Sequence, residues 1–371
     1  MSIKSNLKSQ HRWISESKGK KFSEELLGWY HKNRRIMPWR EEPSPYRIWI
    51  SEIMLQQTRV DTVIPYFNRF MERYPDIITL ASSEEEELLK YWEGLGYYTR
   101  IKNIHITAKN LMHNYNGLLP ETFDQLIKLK GIGEYTAGAI ASEAFGERVA
   151  AVDGNVFRVM ARLSGDEGDL RDLKIQKKLK EKVSLILPHE EIGDFNQALI
   201  ELGALICVPR GEPKCEACPV SHHCQTKKLG KQLEIPYKSK AKKRRIEART
   251  VLLLNYKEEW GILRRDEGRF LEGLYEFPNL EGHLNKDEIL IYLANQGLEV
   301  LSMERLKERK VIFSHIEWHL NSFRIKLNQT SPEMIFDTME EIGLKYPMAS
   351  AFNSFVKEMK EPIQLSLNVD P

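Results

Sequence analysis

The hydrophobic positions between Phe22 and about Leu205 recur at intervals of three and four residues. This spacing is seen in Leu26-Leu27-Trp29-Tyr30, in Ile53-Met54-Val60-Val63-Ile64 and in Leu88-Leu89-Trp92. It places apolar side chains along one face of a helix. Short glycine turns, such as Gly94-Leu95-Gly96 and Gly131-Ile132-Gly133, separate the segments. The first part of the chain is therefore predicted to be all-α.

The pattern changes in the last third of the chain, where apolar and β-branched residues form short runs. Four runs predict strands: Thr250–Tyr256, Trp260–Leu263, Lys310–Leu320 and Asn321–Leu327. Residues Asp287–Asn295 between them have a helical pattern. This part is predicted to be α+β.

These changes divide the 371 residues into four predicted segments. We expect a flexible tail at residues 1–21, a helical domain at 22–229, a basic linker at 230–248 and an α+β domain at 249–371. Between Lys227 and Arg249 lie ten Lys or Arg residues, against only Glu234 and Glu247. Such a run is either a solvated linker or a phosphate-binding surface, and composition alone does not distinguish the two.

The composition indicates an ordinary globular protein and argues against a membrane or secreted one. No run of eighteen apolar residues is present, and the first 21 residues have no apolar core like that of a signal peptide. We expect a cytoplasmic monomer with no membrane partner.

All four cysteines fall in one short stretch: Cys207, Cys215, Cys218 and Cys224. A disulfide framework is typical of short secreted chains, so metal or cluster binding is the first interpretation. Zinc sites usually use two tight pairs, and here only Cys215 and Cys218 form one. Four thiolates in one compact run favour a [4Fe-4S] cluster with a structural role, with zinc as the alternative.

The segment from Leu129 to Ala139 predicts a tight turn between two helices. Gly131 and Gly133 allow that turn, and the exposed N–H groups at the start of the second helix can bind a DNA phosphate. Eighteen residues beyond Tyr135 comes Asp153, which is predicted at the N-cap of the next helix. Taken alone, the glycines are compatible with an ordinary helical turn, and the aspartate with a simple cap.

The order of hairpin, aspartate and four cysteines resembles the endonuclease III superfamily of helix-hairpin-helix DNA glycosylases. The segments Met37–Arg40, Trp49–Val60 and Trp92–Arg100 are similar to its adenine-specific group, the MutY group. The resemblance implies a substrate of double-stranded DNA in which adenine is paired with 8-oxoguanine or guanine. Bifunctional members carry a lysine just after the hairpin, where this chain has Tyr135. The resemblance therefore implies base removal without strong lyase activity.

The resemblance also implies a role for each matching residue. Glu52 would protonate adenine, and Asp153 would stabilise, or bond transiently with, an oxocarbenium-like sugar, supported by Tyr135 and Asn155. The DNA backbone would contact Lys130, Gly131 and Gly133. The other implied base-contacting residues are Trp39, Arg40, Leu55 and Glu201 at the adenine, and Gln57 and Tyr97 at the 8-oxoguanine.

The C-terminal part is similar to a Nudix-fold domain through Arg264-Arg265-Asp266 and Gly273–Pro278. The stretch from Lys286 to Leu293 lacks the pattern of several glutamates, near R-E-x2-E-E, that would hold magnesium, which favours binding without hydrolysis. Phe313, Ser314 and His315 match the family's 8-oxoguanine-sensing loop. Two departures stand out: seven residues rather than six separate the first two cysteines, and Tyr275 replaces a tryptophan.

Three other functions stay open at this point. The chain could be a non-catalytic DNA-binding scaffold, a nucleotide hydrolase acting through its C-terminal domain, or a pyrimidine-lesion glycosylase with lyase activity. The pair Glu52 and Asp153 argues against the first, the missing glutamates against the second and Tyr135 against the third. The resemblance also implies a bacterial-type, nucleoid-associated protein. The sequence does not test whether the protein contacts a sliding clamp.

Overall fold

The computed structural model describes residues 15–240, 243–266, 268 and 270–359. The chain divides into two compact units: Lys102–Lys240 joins the segment that ends at Ser83, whereas Glu84–Ile101 joins the segment that begins at Ala241. The first unit is helical and the second contains a mixed sheet. The predicted all-α part followed by an α+β part is thus confirmed.

Helices dominate residues 15–240, with short 3-10 turns at Cys215–Ala217 and Ser221–His223. In chain order the helices are α1 (Glu16–Asn33), α2 (Pro38–Glu41), α3 (Pro45–Leu55), α4 (Val60–Arg73), α5 (Ile77–Ala81), α6 (Glu85–Tyr91), α7 (Thr99–Asn114), α8 (Phe123–Leu126), α9 (Glu134–Phe145), α10 (Gly154–Ser164), α11 (Leu173–Ile186), α12 (Ile192–Leu205) and α13 (Gln225–Leu229). Helix α6 belongs to the second unit. None of the described helices is long and apolar enough to cross a lipid bilayer.

Four helices of the first unit pack together: α3 and α12 both lie against α9, and α10 lies against α12. Helix α3 begins at Pro45, and the Ser44 side chain accepts a hydrogen bond from the Arg47 N–H. Gly203 of α12 has no side chain, and a Cβ there would come within 2.7 Å of the Asn155 Cβ. Residues at the ends and facing sides of these four helices are therefore brought close together.

The second unit contains an eight-stranded sheet with the central order β3-β2-β1-β7-β5. Its strands are β1 (Arg245–Tyr256), β2 (Glu259–Arg264), β3 (Tyr275–Glu276), β4 (Asn279–Glu281), β5 (Val300–Arg305), β6 (Arg309–Ile312), β7 (Ile316–Leu327) and β8 (Ile335–Thr338). Strands β1 and β7 pair in parallel, from Arg245 opposite Ile316 to Asn255 opposite Lys326. The helices of this region are α14 (Lys286–Asn295), α15 (Met339–Lys345) and α16 (Val356–Met359), with a 3-10 turn at Ser350–Phe352.

Two strand predictions are confirmed and two need correction. Strands β1 and β2 form the predicted hairpin. A capping box between Asn285 and Glu288 stabilises the N-terminus of α14. The predicted strands Lys310–Leu320 and Asn321–Leu327 are instead β6 and the longer β7, with a turn at residues 313–315. Asn321 is buried inside β7, because β7 has neighbours on both sides. A polar residue in a central strand does not mark a turn.

The predicted domain boundaries differ from the compact units at three places. The predicted tail 1–21 overlaps α1, which begins at Glu16, while residues 1–14 lie outside the described part. The predicted linker 230–248 starts too early, since Ile235 is buried and the Leu170 N–H donates to the Tyr237 carbonyl at 3.1 Å. It also ends too late, since β1 begins at Arg245.

The third difference concerns Glu84–Ile101, which was predicted within the helical domain but belongs to the second unit. Lys90 Nζ donates to the Tyr346 carbonyl at 3.2 Å, and the Met348 N–H donates to Glu93 Oε1 at 3.2 Å. Nearby, Tyr275 is buried and its ring packs on that of Tyr346 at 4.8 Å. These contacts join segments that are far apart in the sequence.

Candidate active site

A cavity of about 500 Å³ in the helical unit collects most of the residues predicted to act on adenine. Its lining includes Trp39, Arg40, Glu52, Leu55, Tyr135, Asp153 and Asn155 from that prediction, together with Gln57, which was predicted to lie at the 8-oxoguanine. It also includes Arg35, Gln56 and Gln197, which sequence reasoning missed. The two predicted catalytic carboxyl groups therefore face one space, although they are 101 residues apart in the sequence.

Glu52 lies on α3 and is 4% exposed. Gln197 Nε2 lies 3.4 Å from Glu52 Oε1, while Glu52 Oε2 is buried and makes no hydrogen bond within the described residues. Burial raises the pKa of the Glu52 carboxyl, and the charge of Asp153 adds to this effect, whereas the neighbouring Tyr135 hydroxyl lowers it. A carboxyl group in this state can hold a proton near neutral pH and donate it to a bound ligand.

Asp153 is the N-cap of α10, as predicted. Its Oδ1 accepts the Val156 N–H at 2.8 Å, and its Oδ2 accepts from Asn155 Nδ2 at 2.7 Å. Burial raises the pKa of Asp153, and these hydrogen bonds together with the charge of Arg158 lower it. Asn155 is itself held by Arg158, whose Nη2 donates to Asn155 Oδ1 at 2.9 Å. The carboxylate is thus fixed in orientation beside the cavity.

Glu201 does not appear among the cavity-lining residues and is fully buried behind them. Its Oε2 pairs with Arg35 Nε at 2.9 Å, and its Oε1 pairs with Arg40 Nη1 at 2.8 Å. Glu201 thus holds two arginines in place, and its predicted contact with adenine stays a prediction. Gln197, one helical turn earlier on α12, lines the cavity directly. No local pattern marked Gln197, because its partners Arg40 and Glu52 lie on other helices.

The predicted DNA-binding hairpin connects α8 to α9. Gly131 has φ +78°, and a Cβ there would lie 2.6 Å from the Asn103 Cβ, so only glycine fits. Gly133 is the N-cap of α9. The Lys130 carbonyl accepts from Thr107 Oγ1 at 2.7 Å, while the Lys130 side chain is exposed. The hairpin thus presents two exposed glycines and an exposed lysine on one turn.

The four cysteines line one cavity next to the core of the helical unit. The Lys214 N–H donates to the Ile206 carbonyl at 3.0 Å, so the longer loop between Cys207 and Cys215 closes on itself. Arg162 crosses this region, with Nη1 at 3.3 Å from Cys207 Sγ and Nε donating to the Ile235 carbonyl at 2.7 Å. Burial raises the pKa of the Cys218 thiol to about 12, so a cation is needed to stabilise thiolates there.

The residues predicted to read 8-oxoguanine fall in both units. In the first, Gln57 is exposed with φ +59°. In the second, Tyr97 has φ +49°, and its hydroxyl lies 3.1 Å from Ser314 Oγ. Left-handed backbone at residues other than glycine costs about 1–3 kcal/mol and is concentrated at functional sites. Both residues are therefore held by their surroundings in a strained conformation.

The predicted sensing loop, Phe313–His315, is the tight turn between β6 and β7, closed by the Phe313 N–H donating to the Ile316 carbonyl at 2.8 Å. Ser314 and His315 are exposed. The Phe313 ring packs edge-on against Phe270 and Trp318, each at 4.9 Å. The polar side chains of the turn are thus available to a ligand, while the predicted wedge is part of an aromatic cluster.

Known proteins are similar to this chain over nearly its whole length. An adenine DNA glycosylase of Buchnera aphidicola subsp. Acyrthosiphon pisum is 34% identical over 348 residues, which are 91% of this chain and 98% of the relative. The chain belongs to the adenine DNA glycosylase family. Another member of this family, from Buchnera aphidicola subsp. Baizongia pistaciae, is 37% identical over 84% of this chain and 87% of its own length.

The wider relationships of this adenine DNA glycosylase family member agree with its fold. Residues 50–185 match the family model of the HhH-GPD superfamily base excision DNA repair protein. A solved thermostable thymine-DNA glycosylase has a TM-score of 0.53 and 31% identity, covering 57% of this chain and 98% of that one. An endonuclease III solved in a non-covalent complex with DNA has a TM-score of 0.50 and 25% identity, covering 58% and 98%. The chain is therefore a DNA glycosylase with the endonuclease III-like helical fold.

Proposed function

We propose that this protein removes adenine paired with 8-oxoguanine or guanine from double-stranded DNA, by acid-assisted hydrolysis of the N-glycosidic bond. The observation that carries this proposal is the arrangement of Glu52 and Asp153, which face one cavity of about 500 Å³. A cavity of this size can hold a nucleotide that has been flipped out of the helix. Flipping costs a few kcal/mol, and less where the base is mispaired.

Glu52 is the acid in this proposal. Adenine is a poor leaving group until one of its ring nitrogens is protonated, so the reaction needs a proton donor beside the base. Glu52 is buried, burial raises its pKa, and Oε2 makes no hydrogen bond inside the described structure. That oxygen is the group that would donate to the base.

Asp153 stabilises the sugar after the base begins to leave. Positive charge develops on the deoxyribose ring, and a fixed carboxylate in a site of low dielectric constant stabilises that charge strongly. Hydrogen bonds from Val156 and Asn155 hold Asp153 in place without moving during the reaction. This division into acid and charge-stabilising carboxylate parallels glycoside hydrolysis.

The side chains of the cavity also indicate a reaction without strand cleavage. A lyase step needs an amine that attacks the sugar. The lining residues, all within the described part of the chain, include Arg35, Arg40 and Arg59 but no lysine. Tyr135, which stands where bifunctional relatives are expected to carry lysine, has a pKa raised well above its usual value by burial and supplies no amine.

We also propose that Cys207, Cys215, Cys218 and Cys224 hold a [4Fe-4S] cluster. The four sulphur atoms are widely spaced. Among the described residues, no three of them all lie within 4.8 Å of one another. A zinc ion would hold its sulphur ligands about 3.8 Å apart, so the wider spacing favours the larger cluster. When bound, the cluster would tie the cysteine loop to the helical core as a structural group.

A single-turnover assay on a duplex with one adenine opposite 8-oxoguanine tests the proposed function. We expect an abasic site that breaks the strand only after treatment with alkali. Breakage without alkali would show a lyase, and intact adenine throughout would favour a non-catalytic DNA-binding scaffold. The same duplex with thymine opposite 8-oxoguanine is the matched control and should stay intact.

Replacing both Ser314 and His315 with Ala should reduce the preference for 8-oxoguanine over guanine opposite adenine by about tenfold or more. The reason is that each lost hydrogen bond to the lesion contributes about 0.5–1.5 kcal/mol. The preference is measured as the ratio of single-turnover rates on the two duplexes. Ser302→Ala, in strand β5 of the same sheet, is the matched control. An unchanged ratio in the double variant would show that this turn does not read the lesion.

A further inference from the structure

A third acidic side chain, Glu143, lies next to the proposed catalytic pair and has no part in the reaction described so far. It projects from α9, two turns beyond Tyr135, on the same helix. Gln197 Nε2 donates to Glu143 Oε1 at 2.6 Å, and the same nitrogen lies 3.4 Å from Glu52 Oε1. One amide group therefore connects two carboxyl groups.

Arg40 fixes the orientation of that amide. Its Nη2 donates to Gln197 Oε1 at 2.6 Å. A guanidinium group has donors only, so the amide oxygen has to face Arg40 and the amide NH₂ has to face the two carboxyl groups. Rotating the Gln197 side chain by half a turn would place donors against donors. Gln197 is thus a rigid link between Glu143 and Glu52.

The positive charges near the Gln197 amide do not neutralise both Glu52 and Glu143. Arg35 and Arg40 form their ion pairs with Glu201. Among the ion pairs formed by described residues, none includes Glu52 or Glu143. Two carboxylates that share one buried link without a cation between them repel each other, and holding one proton between them relieves that repulsion.

We propose that Glu143 is a positioning residue that orients the Gln197 amide and, as a second negative charge behind Glu52, keeps the proton on Glu52. This inference rests on the proposed function, because it assigns the proton to the acid that would protonate adenine. Glu143 itself touches neither the base nor the sugar in this arrangement. It acts on the reaction only through Gln197 and through its charge.

Distances and charges around the link support this assignment. Gln197 Nε2 donates to Glu143 Oε1 at 2.6 Å but lies 3.4 Å from Glu52 Oε1, so the stronger bond goes to Glu143 as the charged acceptor. Burial and the charge of Glu52 raise the pKa of Glu143, so the two carboxyl groups compete for one proton. The titratable or charged groups that act on Glu143 come from five elements: Tyr30 of α1, Arg40 of α2, Glu52 of α3, Tyr135 of α9 and Asp194 of α12. Of these, Arg40 favours the ionised form of Glu143, and its guanidinium is shared with Glu201.

Glu143→Gln should move the alkaline limb of the pH–rate profile for adenine excision to lower pH by about one unit. The substitution keeps an oxygen that can accept from Gln197 but removes the negative charge. Glu52 then releases its proton at lower pH, and the rate falls earlier as pH rises. We expect about fivefold slower excision at the wild-type midpoint and a nearly unchanged rate about two units below it.

Two matched variants separate charge from packing. Glu143→Asp keeps the charge and should leave the limb close to that of the wild type. Glu191→Gln removes an exposed carboxylate next to α12 and should not move the limb. An equal shift in Glu143→Asp and Glu143→Gln, or an unchanged limb in Glu143→Gln, would overturn the proposal. Thermal unfolding of each variant checks that the fold is retained.

A readout that is independent of catalysis distinguishes failure of this inference from failure of the proposed function. In protein labelled with ¹³C at the glutamate carboxyl, the Glu52 signal is assigned by its loss in Glu52→Gln and titrated by NMR. Its midpoint should fall by about one unit in Glu143→Gln. An unchanged midpoint overturns the inference even if adenine is excised, and a lowered midpoint supports it even if adenine is not.

Discussion

Glu52→Gln should slow the removal of adenine opposite 8-oxoguanine by about a thousandfold or more, while the affinity for that duplex changes less than about threefold. The amide has nearly the shape of the carboxyl group and can still meet Gln197, so the packing of α3 is preserved. It has no proton that it can give to the base. A loss confined to the rate would identify Glu52 as the acid, because binding and catalysis are separated.

The measurement is a single-turnover rate for base removal, together with a dissociation constant for the uncleaved duplex. Glu42→Gln is the matched control, since Glu42 is an exposed carboxylate near the start of α3 that pairs with Arg47 at 3.9 Å. It should keep the wild-type rate. Weakened binding by Glu52→Gln, with a proportional loss of rate, would instead show that Glu52 supports the structure of the cavity.

The pH dependence of the wild type follows from the two raised pKa values. Glu52 acts in its protonated form, so the rate should fall as the pH rises through its raised pKa. Asp153 acts in its ionised form, so the rate should fall as the pH drops through the pKa of Asp153, which burial also raises. The profile is therefore expected to be bell-shaped. Both limbs belong to the coupled site rather than to isolated residues.

Local signals in the sequence were sufficient for the parts of the site that are set by nearby residues. Asp153 was predicted as a helix N-cap because it precedes an apolar helical pattern, and it caps α10. Gly131 was predicted in a tight turn, and the Asn103 side chain leaves no room for a Cβ there. The spacing of the cysteines predicted one common site, and all four line one cavity.

The parts that were missed depend on contacts between distant segments. Gln197 is an ordinary polar residue in an amphipathic helix, and its importance comes from Arg40, Glu52 and Glu143 on three other helices. The ion pairs of Glu201 were likewise not predicted, since its two arginine partners lie more than 160 positions away. Local periodicity carries no information about such partners.

Contacts between distant segments also explain why Glu84–Ile101 was predicted within the helical domain but belongs to the second unit. Its helical pattern was read correctly, but its membership in the second unit depends on hydrogen bonds across 256 and 255 positions of the sequence. Long-range pairing of this kind is not visible in a hydrophobic pattern. Tyr97 and Ser314 are an example of such a contact. Their hydrogen bond joins two segments that were each separately predicted to recognise the lesion.

Asp153→Asn should reduce the rate of adenine removal by about a hundredfold to a thousandfold while the protein stays folded. Asparagine is as good an N-cap as aspartate, so the start of α10 is retained. What is lost is the negative charge that stabilises the developing oxocarbenium ion. The new NH₂ group would also face Asn155 Nδ2, which cannot easily turn away because Arg158 holds Asn155 Oδ1.

Asp172→Asn provides a matched control for this change. Asp172 caps α11 by accepting the Lys174 N–H at 2.8 Å, and it is exposed and outside the cavity lining. Both variants replace a capping aspartate with asparagine, but only one of them removes charge from the cavity. We expect both variants to stay folded and a loss of single-turnover rate in Asp153→Asn alone. If Asp153→Asn retained the wild-type rate, Asp153 would be a helix cap only, and the charge of the sugar would have to be stabilised by Glu52 or by Tyr135.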